Sequence, residues 1–333
     1  MTPKKTAVPE ETASTPRVET LVLAQLRGFC AGVVRAIDIV ERALEVCGRP
    51  VYVRHEIIHN RHVVDELRAK GAVFVEDLAE VPSGSWLIFS AHGVSPQVRA
   101  EAVSRKLKAI DATCPLVTKV HLEAIAFAKR GYSIILIGHI DHVETIGTMG
   151  EALDAIRVVG SVPEAESVSV PDPRKVAYLT QTTLSLDDTA DIVSVLKRRF
   201  PALVCPSKDD ICYATQNRQN AVKSLVPRVD LLLVLGAPNS SNSLRLREVA
   251  KAQGVKHAYL IEKASDIRPE WLEGVRTMGL TASASAPEVL VQEVITHCRR
   301  EYGVKEVLED VTVSEDVRFS LPHELEALLK KKS

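Results

Sequence analysis

Aromatic side chains make up only 4% of the 333 residues, and neither sign of charge prevails: 42 basic and 43 acidic residues give a formal net charge of −1. Without a basic surplus the chain has no general attraction to a polyanion. With so few aromatics it offers little for bases to stack on, so nucleic acid is not expected as a partner. No apolar run reaches the roughly 18 residues of a membrane-spanning helix, and the opening MTPKKTAVPEETASTPRVE lacks the apolar stretch of a signal peptide. Residues 1–19 read as a disordered tail, and the chain as cytoplasmic with no membrane partner. Two further absences bear on chemistry. There is no CxxC pair, from which structural zinc sites are commonly assembled, and there is no Gly-rich phosphate loop or flavin or nicotinamide fingerprint. A phosphate would need other donors, and electrons would have to come from another molecule.

The remaining composition is globular, 46% apolar and 26% charged. Short β-rich runs such as LVLA, VYVRH, WLIFS, SIILIG, VAYLT, LLLVLG and TMGLT alternate with amphipathic stretches such as VVRAIDIVERALEV and PLVTKVHLEAIAFAKR. This alternation predicts an α/β chain of parallel sheets. One order of elements recurs three times, each time from a cysteine. After Cys30 come a helix to about residue 46, a strand over 51–53 and a loop with His59 and Asn60. Cys114 is followed by a helix to about residue 129, a strand over 133–137 and a loop with His142 and Glu144. After Cys212 come a helix over 214–225, a strand over 231–235 and the loop Asn239-Ser240-Ser241-Asn242-Ser243. Later strands feed second polar loops containing His92, Thr182 with Thr183, and Ser283 with Ser285. The expected units are 20–113, 114–205 and 206–306, with 20–29 able to pack on the third unit. Residues 307–333 form a C-terminal tail packing over one unit. Loops at the carboxyl ends of parallel strands converge. Three similar small units around a pseudo-threefold axis would therefore turn three cysteines and six polar loops toward a central metal-cluster cavity.

Thiolates select soft or borderline metals, and three of them leave one coordination position open. Ligands this far apart in sequence suit an iron–sulfur cluster with one open, Lewis-acidic iron better than a Cys₃ zinc centre, which remains the alternative. Cys47, Cys205 and Cys298 fall outside the repeat and read as packed or partly exposed thiols. His59, His92, His142, the loop hydroxyls and Asn242 supply the donors that a phosphate or diphosphate requires. Glu144 is taken as the only carboxylate in the core of these loops. Partly desolvated beside an anion, it should keep a proton near neutrality and be able to donate it.

Taken together, the segments RGFCAGVVRAI, HNRHVVDELRAKGAVFVEDL, SAHGVSPQV, DATCPLVTKVH, GTMGE, TQTTLS, DDICYATQNRQ, NSSNSLRL and ASAPEVLVQEVI resemble the 4-hydroxy-3-methylbut-2-enyl diphosphate reductase (IspH/LytB) family. The resemblance implies three α/β units around one 4Fe-4S cluster held by Cys30, Cys114 and Cys212. It implies a diphosphate held by His59, His92, His142, Ser240, Ser241, Asn242 and Ser285. Glu144 would be the proton source, with Thr182 positioning the substrate hydroxyl and Thr183 and Thr215 nearby. The implied reaction is a two-electron reductive dehydroxylation giving isopentenyl and dimethylallyl diphosphates, the last step of the non-mevalonate isoprenoid pathway, with flavodoxin or ferredoxin as electron donor. Leu26, Val143 and Ser283 depart from the family pattern, which has proline at the first two positions and glycine at the third. Asp141 and Thr145 are also unusual. An iron–sulfur sensor without turnover, or a Cys₃-metal hydro-lyase or hydrolase acting on a small phosphorylated substrate, would use the same ligands.

Overall fold

The computed structural model describes residues 17–309 and 315–332. Most of the expected tail lies outside the described residues, but Val18 is already buried and its N–H donates to the Tyr302 carbonyl at 3.0 Å. The first part of the chain forms β1 (Thr20–Leu23), α1 (Ala31–Cys47), β2 (Val51–Arg54), α2 (Arg61–Lys70), β3 (Ala72–Val75), β4 (Trp86–Phe89), α3 (Pro96–Ser104) and β5 (Lys108–Asp111). The middle forms α4 (Pro115–Lys129), β6 (Ser133–Ile137), α5 (Val143–Gly150), β7 (Ile156–Val159), α6 (Val162–Ser167), β8 (Val176–Thr180) and α7 (Leu186–Arg199). The last part forms α8 (Tyr213–Leu225), β9 (Leu231–Leu235), α9 (Ser241–Ala252), β10 (His257–Ile261), β11 (Thr277–Ala282), α10 (Glu288–Tyr302), β12 (Glu306–Glu309) and α11 (His323–Lys332).

Local sequence accounts for these elements. In α1 the buried Val33, Ala36, Ile39, Val40, Ala43 and Leu44 recur at helical spacing and form one stripe. β9 is apolar throughout, LLLVL, and every residue is buried, as befits a central parallel strand covered on both faces. α2 stops at Gly71, whose φ of 109° favours glycine and whose N–H returns to the Arg68 and Leu67 carbonyls.

Three all-parallel sheets result, with orders β3-β2-β4-β5, β7-β6-β8 and β10-β9-β11-β1-β12. One pattern recurs in them: the first strand of each unit lies in the middle, the second flanks it on one side and the third on the other. The extra strands are the ones that lead to the cysteines. β5, just before Cys114, pairs with β4 of the first sheet, and Val204, before Cys212, bridges to Ala177 of β8 in the second. β1, before Cys30, pairs with β11 of the third sheet, Leu21 lying opposite Met278. Each cysteine is thus delivered by a segment bonded to the sheet of the preceding unit, and the third sheet closes the cycle onto the first cysteine.

Apolar side chains pack on both faces of every sheet. The C-terminal segment differs from the expectation of packing over one unit. β12 pairs with β1 in the third sheet, while Leu325 of α11 is buried in the core beneath α1. The unpaired side of β1 and the apolar outer side of α1 both need cover, and one segment supplies it to both.

Candidate active site

Cys30, Cys114 and Cys212 are the N-cap residues of α1, α4 and α8, and none of these helices has an acidic residue in its first turn. A helix N-terminus carries partial positive charge and stabilises a thiolate placed there. Cys30 makes no side-chain cap bond, while the Cys114 sulfur faces the Leu116 and Val117 N–H groups in the first turn of α4. The Cys212 sulfur accepts from the Thr215 N–H at 3.4 Å and lies 3.1 Å from Thr215 Oγ1. Burial pushes the Cys114 thiol up to about 12 and the Cys212 thiol up to about 11, and the neighbouring sulfurs act in the same direction. Gly32, in the first turn of α1, makes the site possible: a Cβ there would lie 2.8 Å from Cys114 Sγ and 3.8 Å from Cys30 Sγ. Among the described residues no three His, Cys, Asp or Glu side chains are grouped to hold a single metal ion. The other cysteines do not line the cavity that these three share: Cys298 is buried in the third core, Cys205 is exposed and Cys47 is half-buried at the end of α1.

The three sulfurs line one cavity of about 110 Å³. Every other residue that the family resemblance assigns to the site lines it too: His59, His92, His142, Glu144, Thr182, Thr183, Thr215, Ser240, Ser241, Asn242 and Ser285, whereas Asn60, Asn239, Ser243 and Ser283 of the same loops do not. The imidazoles form a cluster. His59 and His92 stack at 4.2 Å between centroids, and His142 meets them edge-on at 5.8 and 6.1 Å. Burial, then the other imidazoles, hold His92 well below the ordinary histidine value and His142 at about 4, so both are neutral at pH 7. His142 caps α5 by accepting the Glu144 N–H on Nδ1 at 3.2 Å, which leaves its proton on Nε2. His59 Nε2 is buried without a partner, an orphan aimed at something the cavity would receive.

Glu144 is 3% exposed. Its Oε1 accepts from the Thr182 N–H at 2.6 Å and its Oε2 from the Thr182 hydroxyl at 3.0 Å. Burial raises its pKa to about 7 against the opposing pull of these bonds. On the third unit's side, Ser240 caps α9 and accepts from the Ser243 N–H at 3.4 Å, and Asn242 is fixed by bonds to the Ala284 N–H and Thr215 Oγ1. The first turn of α9 is also free of acidic residues, so no carboxylate competes with an anion at that helix N-terminus. Ser285 donates to the His59 carbonyl at 3.1 Å and lies 3.2 Å from Ser283 Oγ.

Two departures from the family pattern resolve locally. Ser283 is not among the positive-φ residues, so no glycine is needed there. Val143 is the first residue of α5, where proline is favoured but not required. Among the described residues Glu144 is the only carboxylate lining the cavity, and a second loop carboxylate that the sequence reading did not single out, Glu56, stands just behind His59. Glu56 Oε2 lies 3.0 Å from His59 Nδ1 and accepts from Asn239 Nδ2, also at 3.0 Å. The signal available in the sequence was a carboxylate three residues before a strand-end histidine.

Three parallel sheets that bring helix-capping cysteines, stacked imidazoles and one buried carboxyl to a single cavity define a class of α/β protein with one composite site assembled from all its units. The family described as LytB protein matches residues 21–299, and the chain belongs to that family. It is 56% identical over 306 residues to a 4-hydroxy-3-methylbut-2-enyl diphosphate reductase of Aromatoleum aromaticum, covering 92% of this chain and 97% of the relative. It is likewise 56% identical over 302 residues to the reductase of that name from Bordetella pertussis, covering 91% and 92% of the two chains. The solved structure of E-1-hydroxy-2-methyl-but-2-enyl-4-diphosphate reductase from Plasmodium falciparum superposes with a TM-score of 0.90 at 39% identity, covering 95% of this chain and 99% of that one.

Proposed function

We propose that the chain reduces 4-hydroxy-3-methylbut-2-enyl diphosphate, with two electrons and two protons, to isopentenyl or dimethylallyl diphosphate and water, the last step of the non-mevalonate isoprenoid pathway. The observation that carries this reading is Glu144, a buried carboxyl that still holds half its protons at about pH 7, in the cavity lined by the three cysteines. Cys30, Cys114 and Cys212 would hold a 4Fe-4S cluster, which when bound supplies electrons and one open, Lewis-acidic iron. The residues fit such a group. Buried thiols that resist ionisation need a cationic centre to become thiolates together, and Gly32 leaves the space beside them open. A single zinc ion would need its sulfurs within about 2.3 Å of one point, and no described group is arranged to hold one ion.

The protein side chains bind the anion and handle the proton. His59, His92 and His142, with the N-terminus of α9, Asn242 and the hydroxyls of Ser240, Ser241 and Ser285, receive the diphosphate. His92 and His142 enter neutral and gain protons as the anion arrives, because a nearby negative charge favours their cationic form. Glu144 supplies the proton that leaves with the allylic hydroxyl oxygen as water, and Thr182 fixes both of its oxygens for that transfer. A sensor has no need of a carboxyl tuned this way. Electrons come from a flavodoxin- or ferredoxin-type protein.

The test is anaerobic turnover of 4-hydroxy-3-methylbut-2-enyl diphosphate by reconstituted protein with a low-potential reductant, recording the visible spectrum of the same sample. Cluster absorption with both five-carbon diphosphates is expected. Stoichiometric zinc without iron or sulfide would overturn the cofactor reading, and a loaded cluster without turnover would overturn the reaction. Serine at 30, 114 or 212 is expected to abolish the absorption, whereas Cys47→Ser and Cys298→Ser retain it.

A further inference from the structure

Residues 315–332 lie beyond the span that matches the family, yet they reach the cysteine site. Arg218, on α8, is 1% exposed, and its guanidinium is fully occupied. Its Nε and Nη2 donate to the Gly28 carbonyl at 3.0 and 2.7 Å, Nη2 also reaches the Phe29 carbonyl at 3.4 Å, and Nη1 donates to Ala214 O at 3.0 Å. The charge is met by Glu315, whose two carboxylate oxygens lie 3.0–3.3 Å from Nη1 and Nη2. Asn217 Nδ2 holds the same carboxylate at 2.8 Å. A buried guanidinium deprived of its carboxylate would be an uncompensated charge, so the Arg218 geometry depends on the C-terminal segment.

The loop that Arg218 grips carries Cys30. On its other side the loop is sewn to the third unit, Gly28 N–H to the Ala282 carbonyl at 3.1 Å and Cys30 N–H to the Ala284 carbonyl at 3.3 Å. Gly28 has φ +73°, and a Cβ there would meet the Ala286 carbonyl at 3.2 Å, so the turn has little freedom of its own. Beyond Glu315 the chain runs along α1, where Arg35 Nε donates to the Ser320 carbonyl at 2.7 Å, and Leu325 anchors it in the core. Between α1, Tyr213 and residues 317–321 lies an outer groove of about 690 Å³, and Cys30 lines both this groove and the inner cavity.

We propose that Glu315, acting through Arg218, is a positioning residue for Cys30, and that the segment following it forms the outer wall of the groove beside that cysteine. The proposal rests on the reading of Cys30 as a cluster ligand, but its test does not require the cluster. In cluster-free full-length protein, limited alkylation with iodoacetamide is followed cysteine by cysteine by peptide mass spectrometry. Glu315→Ala is expected to raise the rate at Cys30 roughly fivefold or more while Cys114, Cys212 and the buried Cys298 stay within about twofold. Glu315→Asp, which keeps the charge, is expected to give an intermediate rate at Cys30, and it carries the test where the alanine variant does not fold. An unchanged Cys30 rate, or an equal rise at every cysteine including Cys298, would overturn the proposal, since the segment would then serve general stability alone. In reconstituted protein the same substitution is expected to speed bleaching of the visible band by a chelator. Failure of wild-type protein to form that band would instead count against the cluster reading and leave the alkylation result standing.

Discussion

Two opposing effects set the acidity of Glu144. Burial favours the neutral carboxyl, while the N–H and hydroxyl of Thr182 favour the carboxylate, and the balance falls at about 7. The proposed reaction uses the protonated form, so turnover should be level below pH 7 and fall about tenfold per unit well above it. Glu144→Gln should bind substrate and retain the cluster but lose about 10²–10⁴ in kcat together with that alkaline limb. Thr182→Val removes a bond that favours the charged form, so its limb should move to higher pH; a shift to lower pH would show that the group titrating is not Glu144. Glu56 touches the proposed diphosphate pocket only through His59. Glu56→Ala frees the ring that presents Nε2 to the cavity, and a hydrogen bond to a charged group is worth about 1.5–3 kcal/mol. Steady-state kinetics should show KM raised roughly 10- to 100-fold with a smaller change in kcat. The sequence revealed Glu144 because it falls two residues from a strand-end histidine, whereas Glu56 is separated from His59 by the buried Ile57 and Ile58, and nothing in the string shows the loop turning back.

At the scale of elements, helix N-termini organise the site: α1, α4 and α8 present sulfurs, α9 presents hydroxyls and Asn242, and α5 presents His142 and Glu144. His142, with φ −77° and ψ 135°, already has the extended backbone a following proline demands. Val143, as the first helical residue, has an N–H that no turn of the helix can accept. Val143→Pro should therefore stabilise the protein by about 0.4–1 kcal/mol by restricting the unfolded chain, seen as a higher Tm with unchanged turnover. A loss of activity would show that the loop uses the freedom valine gives it. The same elements show what the sequence could disclose. The central strands β2, β6 and β9 and helices α1 and α4 stand out because burial on one or both faces imposes apolar periodicity. β5, with the sequence KAID, was missed because a sheet-edge strand with two exposed residues needs little apolar character. The bridge at Val204 and the double anchorage of the C-terminal segment were also hidden, because backbone pairing to another unit leaves no mark on side-chain pattern.

For the molecule as a whole, the distribution of the cores matters more than their number. Each of the apolar clusters belongs to a single sheet, two to a sheet. Cohesion between units therefore rests on the borrowed strands, the C-terminal segment, the loops around the cavity and side-chain bonds such as those of the buried Gln219 on α8 to the Leu184 carbonyl and the Leu186 N–H. The cluster proposed for Cys30, Cys114 and Cys212 would tie together three helix N-termini that no shared core joins, and would stabilise only the assembled arrangement. Removing it should loosen the junctions and leave the sheets intact. Hydrogen exchange of the reconstituted protein against the cluster-free form should show amides in 28–34, 112–118 and 211–216 exchanging roughly tenfold faster or more without the cluster, while those of β2, β6 and β9 keep their protection. An even loss across those strands would make the chain one cooperative block whose cores depend on the cavity. Unchanged exchange at all three loops would mean the backbone bonds of the Cys30, Cys114 and Cys212 amides, to Ala284, Ala91 and Thr182, hold the site rigid by themselves. The expected outcome follows from the arrangement of these bonds, each of which joins a cysteine to a neighbouring loop and none of which joins all three cysteines at once.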